Sequence, residues 1–241
     1  MTSSYTDLWE FYPWEITDCN FQEGKTGEDY AEVMKLFNAH LDNLGVTAYE
    51  AITMEPYYYG SEHRHFLRWV SYWLSGEDLG NYSVKWTGSW GTPEGAKVLV
   101  PYGETVVYDN HMGWSVALVR KPKTQKVTDN SIIVMQDCRF TEKPTSMEEV
   151  RKAVNALVSE MDNRKYENGV WIMFPSWGYT NSDYDFKLLT RYDSFAELGV
   201  AWEMYAPGTE ASEAIRKITS DVFSSYVQEV NFVTVRRYKS G

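Results

Sequence analysis

Asp18-Cys19-Asn20-Phe21 returns 119 positions later as Asp137-Cys138-Arg139-Phe140. Further matches keep the same order along the chain. Glu55-Pro56-Tyr57 corresponds to Phe174-Pro175-Ser176 and Leu79-Gly80 to Leu198-Gly199 at the same shift. Phe66 and Tyr72 match Phe186 and Tyr192 at a shift of 120, and Val119-Arg120-Lys121 matches Val235-Arg236-Arg237 at 116. The shift changes where loops absorb insertions, so a duplication with halves at 8–122 and 130–238 accounts for the series.

Each half reads as one structural unit. Leu8 to Phe21 alternates with an aromatic bias, as a strand does. Tyr30, Val33, Met34, Phe37, Leu41 and Leu44 then recur at helical spacing, and Gly45 supplies a stop. Their counterparts are Met147, Val150, Val154, Leu157, Val158 and Met161, with Ser146 as N-cap and Glu149 as its capping-box partner. A strand ending at Pro56 matches Gly169 to Phe174, which ends at Pro175; proline cannot donate to a ladder. Phe66 to Leu74 matches Phe186 to Tyr192 as a third strand. Val116 to Lys121 and Asn231 to Tyr238 close the units. Before the last strand the second half carries a helix with Ala211, Ile215, Ile218 and Val222 on one face, introduced by Pro207-Gly208-Thr209. In the first half, Thr87 to Gly95 and Pro101-Tyr102-Gly103 hold glycines and prolines that are expected to break a regular helix.

The element order, β-α-β-β-α-β twice, is α+β: two tandem ferredoxin-like repeats with antiparallel sheets. It resembles a tandem-fused member of the dimeric α/β-barrel superfamily, in which two such sheets pack face to face. The resemblance covers nearly the whole chain and rests on element order, repeat length and duplication. It implies a pseudo-dimeric barrel able to stand as a monomer with pseudo-twofold symmetry or to assemble into a homo-oligomer. It also implies a functional range of cofactor-independent monooxygenases, isomerases, polyketide cyclases, haem enzymes and plain binding proteins. Two-repeat haem enzymes of that superfamily typically take their proximal histidine from the second repeat. Here His40, His63, His65 and His111 all lie in the first, a departure from those haem enzymes, while His40 late in the first long helix leaves a different haem geometry open; the expectation is no cofactor.

Composition narrows the partners. Of 241 residues 43% are hydrophobic and 16% aromatic, and 34 acidic against 23 basic side chains give a net charge of -11. Phosphate backbones and anionic membranes are repelled by such a surface, so neither nucleic acid nor membrane is expected as a partner. No run approaches the ~18 apolar residues of a membrane span. The N-terminal stretch lacks the basic and apolar regions of a secretion signal. With Cys19 and Cys138 as the two cysteines, the expected setting is the cytoplasm, with both thiols reduced; their equivalent repeat positions place them where they could approach across the pseudo-twofold axis. Motifs for dinucleotides, P-loop nucleotides, zincins and serine hydrolases are absent from the sequence.

Positions that share a backbone role but differ in chemistry between halves are candidates for function. His63 and His65, before the third strand, correspond at a shift of 120 to Asp183 and Asp185. Two apart in an extended segment, they point the same way. They serve as general-base candidates or, with His111 or a carboxylate, as metal ligands; the expectation is catalysis by His63, His65 and His111 with no metal. Tyr57, Tyr58 and Tyr59 follow Pro56, and Trp90 and Trp114 flank the irregular segment read as a lid or pocket rim. These five aromatics are the expected substrate contacts, with the tyrosines donating hydrogen bonds to a developing oxyanion. The chain is therefore expected to be a small-molecule enzyme with an aromatic-lined cavity between helices and sheet of the first half, acting on an apolar or aromatic substrate as a cofactor-independent oxygenase, isomerase or cyclase. A non-catalytic ligand-binding or assembly module and a haem or metal protein are the alternatives.

Overall fold

Along the first strand, Ile16 turns to one core and Cys19 to another, the period-two alternation of a strand buried on both faces. The computed structural model describes residues 9–60, 65–124, 127–129, 131–141, 146–178 and 184–237. The first repeat runs β1 (Phe11–Phe21), α1 (Gly27–Asn43), β2 (Glu50–Tyr59), β3 (Leu67–Tyr72), α2 (Gly76–Gly88), α3 (Pro93–Thr105) and β4 (Val106–Arg120). The second runs β5 (Ile132–Phe140), α4 (Met147–Asn163), β6 (Gly169–Trp177), β7 (Phe186–Tyr192), α5 (Phe195–Val200), a 3-10 turn at Trp202–Met204, α6 (Glu210–Thr219) and β8 (Phe223–Arg237).

All eight strands close into one antiparallel barrel in the order β1-β3-β2-β8-β5-β7-β6-β4. The seams are made by the long last strands: β4 pairs with β1 of its own repeat and with β6 of the other, and β8 pairs with β5 and with β2. Closure pairs every strand on both sides, apart from the outer halves of β4 and β8, which among the described residues pair only with β1 and β5, and so blunts the aggregation hazard of an open sheet. Three cores result. One fills the barrel with apolar side chains from all eight strands, including Ile16, Val70, Trp114, Met135 and Val233. The other two lie between the sheet and the helices of each repeat. Cys19 and Cys138 sit in these two separate helix-side cores as free thiols, so they do not meet at the axis. Burial pushes the Cys19 thiol up to about 12 and raises that of Cys138 as well.

Pairing corrects the alignment of the halves. Cys19 faces Leu67 and Cys138 faces Phe186; Trp14 faces Tyr72 and Ile133 faces Arg191. The third strands therefore correspond at 119 rather than 120, so His65 is matched by Tyr184 and not by Asp185. The last strands correspond at 117 rather than 116, because Ala51 faces Arg237 where Val170 faces Arg120. Those two arginines are buried clamps. Arg120 Nη1 donates to Asp162 at 2.8 Å and Arg237 Nη2 to Asp42 at 3.0 Å, each tying the last strand of one repeat to the first helix of the other, α4 and α1 respectively.

The segment read as irregular is regular. Thr92 caps α3 and Pro93 occupies its first turn, where a missing N–H costs nothing. Gly95 is required because a Cβ there would lie 2.2 Å from the Ser89 carbonyl oxygen. Val106 to Trp114 is the first part of β4, and Phe223 begins β8 well before Asn231. The outer halves of both strands are largely exposed and carry apolar and polar side chains without regular order, so they carry no alternation to read.

Both capping boxes form, Thr26 with Asp29 and Ser146 with Glu149. The helix ends differ in one residue. Gly45 follows α1 at φ 65°, and its equivalent after α4 is Lys165 at φ 61°, with matching N–H bonds to Asp42 and Asp162. A side chain is strained in that left-handed conformation. Lys165→Gly is therefore expected to stabilise the protein by about 0.5–1 kcal/mol, read as a raised Tm in thermal unfolding.

Candidate functional site

β1 and β4 carry the chemistry. On the face of β1 turned to the helices, Glu15 and Thr17 precede Cys19, and the register sets Thr17 directly opposite His111. Thr17 Oγ1 lies 2.7 Å from His111 Nδ1, and His111 Nε2 is 3.8 Å from Glu15 Oε2. One ring nitrogen is thus fixed by a buried hydroxyl and the other looks towards a carboxylate, an arrangement that orients an imidazole for proton transfer. The register slips just beyond, between Asp18 and Cys19. This bulge turns Asp109 and Asn110 towards the adjoining space.

That space is a cavity of about 760 Å³ between the sheet and α1–α3. Its floor includes Glu15, Thr17 and Trp69, with the exposed Tyr108 and His111 at its edge; Phe37 of α1, Tyr82 and Trp86 of α2 and Tyr102 of α3 form the walls, and Trp90 stands at the α2–α3 connection. Burial raises the phenols of Tyr82 and Tyr102 well above their ordinary range, and that of Tyr108 is raised as well. All three remain neutral hydrogen-bond donors at physiological pH. The cavity has the size and apolar character of a small-molecule site.

The second repeat lacks this chemistry. At the shift of 119, Val134 and Gln136 replace Glu15 and Thr17, and the long α2 is matched by the six-residue α5. Tyr192 and Tyr205, joined hydroxyl to hydroxyl at 2.6 Å, and Leu198 pack the helix-side core there.

Glu15 is half-buried, and burial raises its carboxyl above the usual range while His111 pulls it back. A carboxyl raised in the folded state favours folding when protonated, and that contribution is lost as pH rises through the raised value. Glu15→Gln is accordingly expected to raise Tm slightly at pH 8 while slowing any His111-dependent reaction roughly tenfold. Paired thermal and kinetic measurements on the variant check both signs.

The expected site residues do not converge on one place. His111 and Trp90 line the cavity beneath the helices. Tyr58, Tyr59 and His65 line an adjoining chamber at the mouth of the barrel, which meets the cavity at Asp109 and Asn110; His65 lines the one and His111 the other. Tyr57 packs outside against Phe195 and Phe232. Trp114 is 2% exposed inside the barrel, stacked on Tyr184. His63, with Asp183, lies outside the described residues. Glu15 and Thr17 escaped the sequence reading, although two polar residues on the Cys19 face of a strand, aligned with Val134 and Gln136, were the available signal.

No family model matches the sequence, and no curated protein matches it. Solved structures do match in fold. A "putative chlorite dismutase" aligns at TM-score 0.57 and 8% identity, covering 94% of this chain and 96% of that one. A "putative monooxygenase" from Lactobacillus acidophilus NCFM aligns at TM-score 0.53 and 10% identity over 94% and 97%. A haem-binding protein from Thermus thermophilus aligns at TM-score 0.52 and 8% identity over 94% and 92%. The chain has the two-repeat dimeric α/β-barrel fold of these proteins.

Haem, the ligand of one of these neighbours, does not suit the cavity. Its lining offers Glu15 and Asp109 but, among the described residues, neither lysine nor arginine to meet two propionates. His40 Nε2 is 3.0 Å from Ser89 Oγ with its ring against Trp86, outside the lining. Among the described residues no helix is long and apolar enough to cross a membrane.

Proposed function

We propose that the chain is a small-molecule enzyme that removes a proton from an apolar or aromatic carbonyl substrate held in the cavity beneath α1–α3. The observation that carries this reading is the Thr17–His111–Glu15 constellation lining an aromatic-walled cavity, with His111 at its edge. Cofactor-independent oxygenation, isomerisation and aldol-type cyclisation share one opening step: loss of a proton from carbon next to a carbonyl. His111 is the base; Thr17 fixes its ring; Glu15 stabilises the imidazolium that forms. Neutral phenols of Tyr82, Tyr102 and Tyr108 are the donors available to the enolate oxygen. Trp86 and Trp90 offer flat faces to a ring system. Monooxygenase-like chemistry on such a substrate agrees with the description of one fold neighbour. A reducing, cytoplasmic setting agrees with the two free thiols.

The test uses polycyclic aryl ketones such as anthrone and tetralone in D2O. Wild-type protein is expected to quench its tryptophan fluorescence on binding them and to accelerate hydrogen–deuterium exchange at the carbon that the carbonyl acidifies, the ring CH2 opposite the carbonyl in anthrone and the CH2 beside it in tetralone. Oxygen uptake then separates oxygenation from the other outcomes. Binding with no accelerated exchange would leave the cavity a ligand-carrying site and remove His111 from any reaction.

A further inference from the structure

We propose that the mouth of the barrel, next to the cavity under the helices, is a second binding site and that its ligand is a neutral sugar ring. The chamber there measures about 820 Å³. It meets the cavity at Asn110 and at Asp109, whose carboxylate accepts from Asn20 Nδ2. A further space of about 280 Å³, sharing Asp18, Arg68 and Tyr184 with it, continues into the barrel.

The charged groups of the chamber engage one another. Arg68 donates through Nε to Asp18 at 2.6 Å and through Nη1 to Glu229, and His65 Nε2 lies 3.9 Å from Glu229. Lys187 donates to Asp137 and, at 2.7 Å, to Gln228 Oε1, while the Tyr226 hydroxyl donates to Asp137 Oδ2 at 3.1 Å. An ionic ligand would have to break one of these buried pairs, which is costly. A neutral ligand need not, because the pairs leave hydrogen-bonding capacity of both kinds. Arg68 Nη2 and Gln228 Nε2 are donors without a partner among the described residues. Asp18 and Asp137 keep lone pairs beyond those in use. A hydroxyl donates and accepts at once, so a ligand bearing several hydroxyls satisfies both.

The aromatic side of the chamber is where the duplicated halves part. Tyr58 pairs with Val230, where the other seam pairs Trp177 with Gly113. Gly113 makes room for the Trp177 ring, which any Cβ there would overlap. Val230 supplies that Cβ, and the Tyr58 ring stands 59% exposed in the lining, with Tyr226 at 55% on the neighbouring strand. Flat ring faces beside donors and acceptors match a pyranose, whose C–H face is apolar and whose rim is hydroxyl.

Ligand-observed NMR titration of the intact protein tests the assignment, with the methyl pyranosides of glucose, galactose and mannose and the uronate and 2-amino counterpart of each. At least one pyranoside is expected to bind saturably, and its charged counterparts about tenfold more weakly. Tyr58→Ala, at an exposed ring whose loss leaves folding intact, should weaken it by about threefold. Gln228→Ala should do the same through a lost hydrogen bond. His111→Gln, in the neighbouring cavity, should leave it unchanged. Saturable binding by none of the three pyranosides, equal binding of a charged counterpart, indifference to Tyr58→Ala or to Gln228→Ala, or loss of binding in His111→Gln would each overturn the proposal. The proton-removal reading would survive all of these except the His111→Gln result, which would merge the two sites.

Discussion

Replacing His111 with glutamine is expected to lower the rate of proton removal by about 10²–10⁴-fold, the range for loss of a positioned general base. Glutamine preserves a polar contact with Thr17 Oγ1 but offers no basic nitrogen. The His111 side chain is 55% exposed at the cavity edge, so Tm should stay within about 1 °C. Deuterium exchange into a bound aryl ketone, followed by mass spectrometry, and thermal unfolding of the same variant give both readouts. A variant with full exchange activity would remove His111 from the mechanism.

The largest effect on stability should come from Arg68→Met. Arg68 is buried and donates through Nε to Asp18 at 2.6 Å and through Nη1 to Glu229. Methionine keeps much of the stem's volume but leaves two carboxylates without their guanidinium. Removing one partner of a buried charge network costs about 3–5 kcal/mol, a fall in Tm of roughly 10 °C for a chain this size. The pH dependence carries the sign. Burial alone would raise the Asp18 carboxyl, but Arg68, with His65 and Lys187, outweighs it and holds Asp18 below the ordinary aspartate range. Stability from a depressed carboxyl is present above its unfolded value and is lost as pH falls through the folded one. In Arg68→Met the same carboxyl is raised, so acid relieves the variant while it weakens the wild type. The gap in Tm should therefore narrow between pH 7 and pH 4. A constant gap would mean that lost packing, not charge, is the cost.

Fold and site were legible in unequal measure. The repeated Asp-Cys-x-Phe stretch, the amphipathic faces of α1 and α4 and the Ser146–Glu149 cap announced the architecture, because burial on one face forces periodicity and a cap forces residue type. The α2–α3 region was misread because Pro93 and Gly95 look like breakers unless it is known that one opens the helix and the other passes under the Ser89 carbonyl. The matching of His65 to Asp185 failed by one residue. A single step in a strand moves a side chain to the opposite face, and only pairing to Cys19 and Cys138 fixes it.

By itself the sequence determined a duplicated α+β chain with one chemically richer half, since duplication and hydrophobic period are local properties preserved in order along the chain. Only the tertiary structure decided which side chains meet. Thr17 and His111 are 94 positions apart and become neighbours through antiparallel register. His65 and His111, closer in sequence, face different chambers because one lies at the barrel mouth and the other beneath the helices. Proximity across a sheet depends on pairing and strand face, and neither is written in spacing along the chain.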